Sequence, residues 1–410
     1  MKDYRSNDGE LDLQDENELY DSIDTGAGRK EKIKSKIRFT RFLLLLIASV
    51  SALIVLFVNK DKLNIDNFRR LAAKVDIGLS TDESTDNSVI DFDYNKTGVV
   101  GVFKDGIARI TGDSLVIMDN VGTQFQSVLT GFNSPALVTS NRYVLAYDRG
   151  GNRLIVTNSF TVVFDTTFED NIVLASMNNN GYIAVVTESD AYKNKVIVYN
   201  SSFDEIYKIN SMTRYILAAN ISNDNKSLAL SSYYIKDSNI IPQINYYKFS
   251  EPEEVWSSDF NDDVAVQVLS KDDGCVVGLF GWGVSILSSR GEEKFKLEFG
   301  DRILQACCIN YGRYNAVTMS SSLSGKSKIT VFDDNGKTIS EISTEDTAVS
   351  IDISSDRLAV LSRDMLYIYT VTGKLIDQRE NTNNATKVLF SDKNSALVVS
   401  ESNVVYNLIN

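Results

Sequence analysis

The order of apolar and polar residues divides the chain into two parts. From Val89 to the end, strand-like runs of about five to eight residues alternate with turn signals, and the pattern repeats. Short apolar runs bounded by turn residues are typical of β-strands. Upstream lies one uncharged stretch, Phe42 to Val58, without proline or glycine. The pattern predicts a long all-β part preceded by one apolar segment.

The strand pattern repeats, and each unit predicts four strands in about 40 residues, the period of β-propeller blades. The opening strands are rich in small residues, as an inner strand near a central axis requires. Units begin at Pro135, Asn171, Tyr215, Val264, Ile303, Ala348 and Thr386. If Val99 to Leu129 forms its own blade, the count is eight; if Val99–Phe103 is not an inner strand, it is seven. The predicted fold is an all-β propeller of about eight four-stranded blades, preceded by one transmembrane helix.

Turn residues between the runs support this interpretation. Asp119-Asn-Val-Gly and Asp333-Asp-Asn-Gly fall between third and fourth strands, and Asn178-Asn-Asn-Gly falls between a first and a second. Tight hairpins need such residues because some turn positions have φ > 0. The last unit contains only three strands, so we expect Ser88 to Tyr94 to supply the fourth. This closure would remove two open sheet edges.

The uncharged stretch 42–58 is interpreted as a membrane-spanning helix. Seventeen residues at about 1.5 Å each cover most of a hydrocarbon core of roughly 30 Å. A cleaved signal peptide is the weaker alternative, because the apolar run continues past the small residues Val50-Ser51-Ala52. Basic residues are denser upstream of the stretch than downstream. The positive-inside rule therefore predicts a single-pass protein in the cell membrane, with a cytoplasmic N-terminus and an extracytoplasmic propeller.

Five segments follow from these patterns. Residues 1–28 are acidic and predict a disordered tail. Residues 29–41 form a basic juxtamembrane collar that would lie among anionic lipid headgroups. Residues 42–58 are the predicted transmembrane helix, and 59–87 contain a short amphipathic helix near Leu63 to Val75 and a polar linker. Residues 88–410 are the predicted propeller.

Composition narrows the chemistry. The net charge of −13 argues against nucleic acid as a partner. Histidine is absent, which removes the usual general base and imidazole metal ligand. The three cysteines are odd in number, and their spacing fits no zinc motif. We assign no catalytic, cofactor-binding or metal-binding residue. Few cysteines and few prolines favour a bacterial cell envelope over a eukaryotic cell surface.

The blade pattern resembles the propellers of WD-repeat and quinoprotein-type proteins, without their signatures: Trp256 and Trp282 are followed by Ser and Gly. The stretch from Phe103-Lys-Asp-Gly to Leu115, with Ala146-Tyr-Asp-Arg-Gly-Gly, is similar to a family of uncharacterised, membrane-anchored propellers from clostridial bacteria. The resemblance covers roughly residues 30 to 410. It implies a bacterial envelope location and supplies no catalytic residues.

Four local patterns have possible chemistry, and each has a simpler explanation. Asp333-Asp-Asn-Gly lacks the alternating ligands of an EF-hand and predicts a hairpin turn. The glycines of Gly278-Leu-Phe-Gly-Trp-Gly do not open a helix, so a phosphate cradle is disfavoured, and Trp282 is interpreted as packing on a loop. Cys307 and Cys308 point to opposite faces of a strand and predict buried thiols. Acidic pairs such as Asp272-Asp273 and Glu292-Glu293 predict solvated turns.

The predicted function is a non-enzymatic, membrane-anchored module for binding or scaffolding at the bacterial cell envelope. The predicted partners are the lipid bilayer and a protein or cell-wall polymer on one propeller face. The alternative is an envelope enzyme or sensor that binds a small ligand or cell-wall sugar in the central channel. Convergent carboxylates at the channel mouth would favour that alternative. A third class, an assembly factor, would bind partners by an exposed strand edge.

Overall fold

The computed structural model describes residues 40–47, 49–51, 69, 70, 88–92, 98–261, 263–321, 326–381 and 384–409. The chain forms two compact units, Met1–Lys74 and Val75–Asn410. In the described part, the strands all belong to the second unit and number 32. The acidic tail 1–28 lies outside the described residues, as do 29–39 of the basic collar and, apart from helical Arg69 and Arg70, the amphipathic helix predicted near 63–75.

The transmembrane helix predicted at 42–58 is wrong. Among the described residues, no helix is both long enough and apolar enough to cross a membrane. The described helical residues of the first unit are 40–47, 49–51, 69 and 70. Residues 52–58 of the predicted span lie outside the described residues.

The second unit is an eight-bladed propeller, in which each blade is a four-stranded antiparallel sheet. Strand β1 (Val89–Asp91) precedes the first complete blade. Blades 1 to 4 follow in chain order, each with its first strand innermost. Blade 1 contains β2 (Val99–Phe103), β3 (Gly106–Ile110), β4 (Ser114–Asp119) and β5 (Gln124–Leu129); blade 2 contains β6 (Pro135–Thr139), β7 (Val144–Asp148), β8 (Arg153–Thr157) and β9 (Val162–Thr167); blade 3 contains β10 (Ile172–Met177), β11 (Ile183–Thr187), β12 (Asn194–Tyr199) and β13 (Glu205–Ser211); blade 4 contains β14 (Tyr215–Ile221), β15 (Ser227–Lys236), β16 (Asn239–Lys248) and β17 (Glu254–Asp259).

The remaining blades repeat this order, and β1 completes the last one. Blade 5 contains β18 (Gln267–Ser270), β19 (Val276–Leu279), β20 (Gly283–Leu287) and β21 (Glu293–Glu298); blade 6 contains β22 (Ile303–Cys308), β23 (Tyr314–Ser320), β24 (Ser327–Asp333) and β25 (Thr338–Thr344); blade 7 contains β26 (Ala348–Ser354), β27 (Arg357–Ser362), β28 (Met365–Thr370) and β29 (Leu375–Glu380); blade 8 contains β30 (Lys387–Asp392), β31 (Ser395–Val399) and β32 (Asn403–Leu408). Strand β1 pairs with β32 and provides the fourth strand.

Eight blades and closure by the strand after Ser88 are therefore confirmed. Val99–Phe103 is the inner strand of its own blade, which decides between seven and eight. The tight turns form at the predicted glycines: Gly122 and Gly336 have φ of 86° and 82°, a region that a side chain disfavours. Ile90 of β1 is buried against blades 1 and 8, so the closing strand contributes to the core.

The core lies between the blades. Eight apolar clusters are present in the described residues, and each is built from two neighbouring blades. Second strands such as Val144–Asp148 are almost wholly buried. Third strands range from fully buried, as in Gly283–Leu287, to alternating buried and half-buried, as in Asn194–Tyr199. Outer strands such as Val162–Thr167 alternate between exposed and half-buried residues. Each blade is thus held on both sides by its neighbours, as in a closed ring.

The propeller has two faces of different construction. One face, here called the interblade face, contains the connections between blades and the loops between second and third strands. The other, here called the hairpin face, contains the loops between first and second strands and between third and fourth strands. Every inner strand begins at the interblade face and runs through the channel to the hairpin face.

Candidate interaction groove on the interblade face

Exposed aliphatic side chains surround the channel where the inner strands begin. The apolar ring comprises Val99, Leu217, Val266, Ile303 and Val349, and their exposed fractions lie between 42% and 65%. These residues come from blades 1, 4, 5, 6 and 7. Solvent-exposed aliphatic residues scattered singly are normal, but here five blades each place one at or near the start of the inner strand. The ring therefore marks the interblade mouth of the channel as apolar.

β-Bulges determine where two residues of the apolar ring, Leu217 and Val349, point. The pairing of the first and second strands shifts register at Val173, Leu217, Gln305 and Val349, in blades 3, 4, 6 and 7. A bulge leaves one extra residue outside the ladder and redirects its side chain. Leu217 and Val349 are exposed although they lie on innermost strands, so they face the open channel. A bulge thus recurs near the start of the inner strand in four blades and leaves one side chain of that strand exposed or half-buried at the interblade mouth.

A groove of about 940 Å³ extends from this mouth between blades 3 and 4, and we call it the blade 3–4 groove. Val173 and Leu217 form its inner end, next to the apolar ring. Its walls come from the connections before β10 and β14 and from the loop between β11 and β12. Tyr215 and Tyr233 stack across the β14–β15 pair, with ring centroids 5.0 Å apart. The groove is thus an open, largely polar trough, to which Leu217, Tyr215 and Tyr233 contribute aliphatic and aromatic surface.

The rim of the groove is acidic. It holds Glu169, Asp170, Glu188, Asp190 and one lysine, Lys193, for a net charge of −3. Lys195 lies outside the lining and places its Nζ 2.7 Å from the Asp170 carboxylate. Hydrogen bonding to that carboxylate raises the pKa of Lys195.

Lys193 belongs to an aromatic contact on the same rim. Its Nζ lies 5.0 Å from the centroid of the Tyr215 ring. Hydrogen bonding to the Tyr215 side chain raises the pKa of Lys193, so this lysine stays charged. A cation over an aromatic face is attracted by the ring quadrupole. The groove therefore combines tyrosines, aliphatic groups and an excess of carboxylates, which suits a basic partner with apolar side chains.

Strands β15 and β16 extend beyond the groove. Each has 10 residues, whereas the other strands have at most seven. Their ends, Tyr234–Lys236 and Asn239–Ile241, form what we call the tip hairpin. Ile235 and Ile240 pair across it and are each 60% exposed. These two isoleucines project beyond the blade and are not buried by it, so another molecule can cover them.

The hairpin face has the opposite character, because its loops are hydrogen-bonded across blades. The buried Asn178 donates from Nδ2 to the Ser222 carbonyl at 2.8 Å and to Asn225 Oδ1 at 2.7 Å. The Asp224 backbone N–H donates to the Asp272 carboxylate at 2.8 Å. The loops of blades 3, 4 and 5 are thereby connected by hydrogen bonds across blades.

Lys271 continues this network from blade 5 to blade 6. Its side chain is 7% exposed, and its Nζ lies 2.8 Å from the Asp334 carboxylate. The same Nζ donates to the carbonyls of Asn310 at 2.7 Å and Gly312 at 2.9 Å. The Asp333-Asp334 turn thus supplies an ion-pair partner rather than a calcium ligand. In the described part of the chain, no group of three or more acidic or cysteine side chains is arranged to hold a metal ion.

Tyr311 joins blade 6 to blade 4 beneath the same face. Its hydroxyl donates to the Ile221 carbonyl at 2.6 Å and accepts from Asn220 Nδ2 at 2.8 Å. Burial raises the pKa of Tyr311 above its ordinary value, so the hydroxyl stays protonated and can donate. Tyr311 thus adds a partly buried hydrogen-bonded connection between blades 4 and 6 at the hairpin face.

On the inner strand of blade 7, Asp352 bonds to the backbone of a neighbouring blade. Its carboxylate accepts backbone N–H groups of Phe390 at 2.7 Å and Ile353 at 2.9 Å, and lies 3.3 Å from Cys308 Sγ. Burial raises the pKa of the Asp352 carboxyl and of the Cys308 thiol. Lys387 Nζ donates to the Val100 carbonyl at 3.2 Å, and burial lowers the pKa of that amine. These contacts connect blades 6, 7, 8 and 1.

The other sequence patterns have ordinary structural roles. Cys275, Cys307 and Cys308 are free thiols; Cys308 is buried and Cys307 half-buried. Trp282 packs on Phe280, with ring centroids 4.8 Å apart, as expected for a packing residue. The glycines from Gly278 onward lie in and between strands β19 and β20, and a Cβ on Gly278 would meet Ile244 at 2.8 Å. Close packing explains them without a phosphate.

The groove was missed in the sequence, although one signal was present. Two short apolar runs, Tyr233–Ile235 and Ile240–Pro242, lie on either side of Asp237-Ser238. Strand-like runs on either side of a short polar turn predict a hairpin. The exposure of Leu217 and Val266 has no comparable signal, because it depends on how separate repeats meet at the channel.

Comparisons place the chain among propellers. The model of a family of unknown function, DUF5711, matches residues 80–406. Sqt1 from Chaetomium thermophilum, bound to the N-terminus of the ribosomal protein L10, aligns with a TM-score of 0.55 and 13% identity over 79% of this chain and 100% of that one. BamB from Moraxella catarrhalis aligns with a TM-score of 0.49 and 12% identity over 79% and 97%. No curated protein matches. At such identities the likeness shows the fold alone.

Proposed function

Since the chain belongs to the family of unknown function DUF5711, we propose its function from its geometry: it is a non-enzymatic scaffold that binds another protein. The observation that carries the proposal is the blade 3–4 groove of about 940 Å³, which opens beside the apolar ring on one face. The groove combines exposed aliphatic side chains and tyrosines with an acidic rim, which suits a protein partner. In Sqt1, a propeller is bound to the N-terminus of a ribosomal protein, so the fold is compatible with such a role.

The alternative, a small ligand or cell-wall sugar processed in the channel, has less support. It requires polar groups that converge on a channel mouth, and the interblade mouth is lined by aliphatic residues such as Leu217 and Val266. On the hairpin face, a small cavity is lined by Asp272 and Asp334, whose carboxylates already bond within the ring. Asp352 and Lys387 lie in the channel, but they bond to backbone groups of neighbouring blades. These contacts favour stability of the ring over catalysis.

We also propose that the module acts at the bacterial cell envelope. The support is the basic stretch 29–41, with seven Lys or Arg residues and one acidic residue, which suits contact with anionic headgroups. Each such cation contributes about 1 kcal/mol near an anionic surface. Fractionation of the native host tests this part of the proposal: recovery of the protein wholly away from the envelope would refute it.

Site-specific photo-crosslinking in the native host tests the scaffold. A photoreactive amino acid replaces Leu217 or Ile235 at the groove, and Val121 provides a matched control, because it is an aliphatic residue 50% exposed on the hairpin face. We expect one discrete protein adduct from both groove positions and none from Val121. Equal adducts from all three positions, or adducts with small molecules only, would refute the proposal.

A further inference from the structure

We propose that the blade 3–4 groove and the tip hairpin bind an extended, basic segment of a partner protein, which adds as a β-strand to the open edge of β15. The inference rests on the proposed scaffold function and specifies the partner. The segment has lysine or arginine at alternate positions and aliphatic residues between them. Its backbone pairs with β15, its aliphatic side chains pack on the tip hairpin and its cations meet the acidic rim.

The open edge is the first support. The register of β14 against β15 ends at the pair Tyr215–Tyr233, while β15 continues to Lys236. On that side, residues 234–236 have no neighbouring strand among the described residues. An unpaired edge presents backbone N–H and C=O groups to any extended chain, and such strand addition is a recurrent mode of peptide recognition.

The apolar side of the hairpin is the second support. Tyr233 pairs with Pro242, and Ile235 pairs with Ile240, so the four side chains share one face of the hairpin. Ser231 lies on the same side of β15 and donates from Oγ to the Ala265 carbonyl of blade 5 at 2.6 Å, so this face lies on the blade 5 side and the opposite face lies on the groove side. An added strand would project every second side chain to the same face, because side chains alternate along a strand. Aliphatic residues at those positions would cover Ile235.

Charge identifies the segment as basic. Four carboxylates and one lysine line the groove, and Glu169, Glu188 and Asp190 are exposed. Lysine or arginine at the alternate positions of the added strand would point to the groove side and meet these carboxylates. The same charges disfavour insertion of the tip hairpin into an anionic membrane. A second copy of this chain, at a net charge of −13, is disfavoured for the same reason.

Peptide binding to the full chain tests the inference. The probe is a fluorescent peptide, Lys-Ile-Lys-Val-Arg-Ile-Lys, and its fluorescence anisotropy reports binding. Two control peptides have the same composition: in one the order is changed to Ile-Val-Ile-Lys-Lys-Arg-Lys, and in the other alternate backbone nitrogens are methylated. We expect saturable binding of the probe and at least tenfold weaker binding of both controls, because strand pairing needs alternation and free N–H groups.

Two sets of variants separate charge from fold. Glu169→Gln, Glu188→Gln and Asp190→Asn together remove three carboxylates from the rim, and we expect at least tenfold weaker binding at low salt. Asp204→Asn, Glu253→Gln and Glu292→Gln make the same change on the hairpin face and should leave binding within twofold. Ile235→Ser should also weaken binding by at least tenfold. Thermal unfolding of every variant checks that the propeller is intact.

Several results would overturn the inference. One is equal binding of the probe and both controls; another is equal loss from the two sets of charge variants. Binding to phosphatidylglycerol vesicles, or self-association in sedimentation, that Ile235→Ser abolishes would assign the tip hairpin to a different occupant. If crosslinks form at Leu217 and Ile235 while the probe does not bind, the scaffold stands and only the basic strand is refuted. If neither is seen, both proposals fail.

Discussion

The two faces of the propeller are built from the same repeated hairpins but treat their polar and apolar groups in opposite ways. On the hairpin face, Asn178, Lys271 and Tyr311 bond across blades, so buried donors find acceptors within the ring. On the interblade face, Leu217 and Ile235 remain exposed beside an acidic groove. The first face contributes stability and the second retains apolar surface for another molecule. Stability and binding should therefore respond to substitutions on different faces.

The largest expected effect is loss of stability on the hairpin face. Lys271→Met removes the cation paired with Asp334 and the donor to the carbonyls of Asn310 and Gly312. Asp334 keeps the Asn315 Nδ2 donor at 3.1 Å. We expect the free energy of unfolding to fall by about 2–3 kcal/mol, because Asp334 is partly solvated and its penalty is smaller than for a fully buried charge. Chemical denaturation measures this change.

Lys226→Met is the matched control for Lys271→Met. Lys226 lies on the same face and pairs with Asp224 at 3.4 Å, but its side chain is 80% exposed. Its removal should change the free energy of unfolding by no more than about 0.5 kcal/mol. If the two substitutions lower the free energy of unfolding equally, the hydrogen-bond network on this face does not stabilise the ring.

A smaller effect with a distinctive pH dependence is expected at Tyr311. Tyr311→Phe removes a donor to the Ile221 carbonyl and an acceptor for Asn220, and should cost about 1 kcal/mol near neutral pH. Burial raises the pKa of Tyr311, whereas the unfolded chain ionises at about pH 10. The tyrosine therefore loses its stabilising contribution as pH rises above about 10. Denaturation at increasing pH should show the gap between parent and variant shrinking; a constant gap would contradict this.

The smallest expected effect on stability lies on the interblade face. Leu217→Ser and Ile235→Ser alter side chains that are already exposed, so each should change the free energy of unfolding by no more than about 0.5 kcal/mol. Crosslinking from a third groove position, Met212, should nevertheless fall when both are replaced. Val121→Ser should change neither quantity. A loss of about 2 kcal/mol in either groove variant would show that the exposed residues support the fold.

Local features explain why the propeller was predictable from the sequence. Short apolar runs and glycine at turns such as Gly336 depend only on nearby residues, so the sequence reveals four-stranded blades directly. The choice of eight blades depended on Val99–Phe103, whose pattern resembles the other inner strands.

The groove could not be predicted in the same way. Leu217 and Val266 belong to different repeats, and their exposure results from bulges and from the width of the ring. The tip hairpin turns at Asp237 and Ser238, with φ of 49° and 66°, where Asn-Gly is the usual signal. Contacts across blades, such as Asn178 with Asn225, join residues 47 positions apart. Such distances exceed what a local pattern can indicate.

Closure by β1 also fixes the order of events during protein synthesis. β1 leaves the ribosome before blade 1, but its partner β32 belongs to the last blade, and the Tyr406 hydroxyl bonds to the carbonyl of Asp105, 301 positions earlier. At roughly 5–20 residues per second, β1 waits about 15–60 s for its partner. During that time seven complete blades can form while the ring stays open. The speed of translation through all eight blades therefore determines how long two unpaired edges are accessible to other nascent chains.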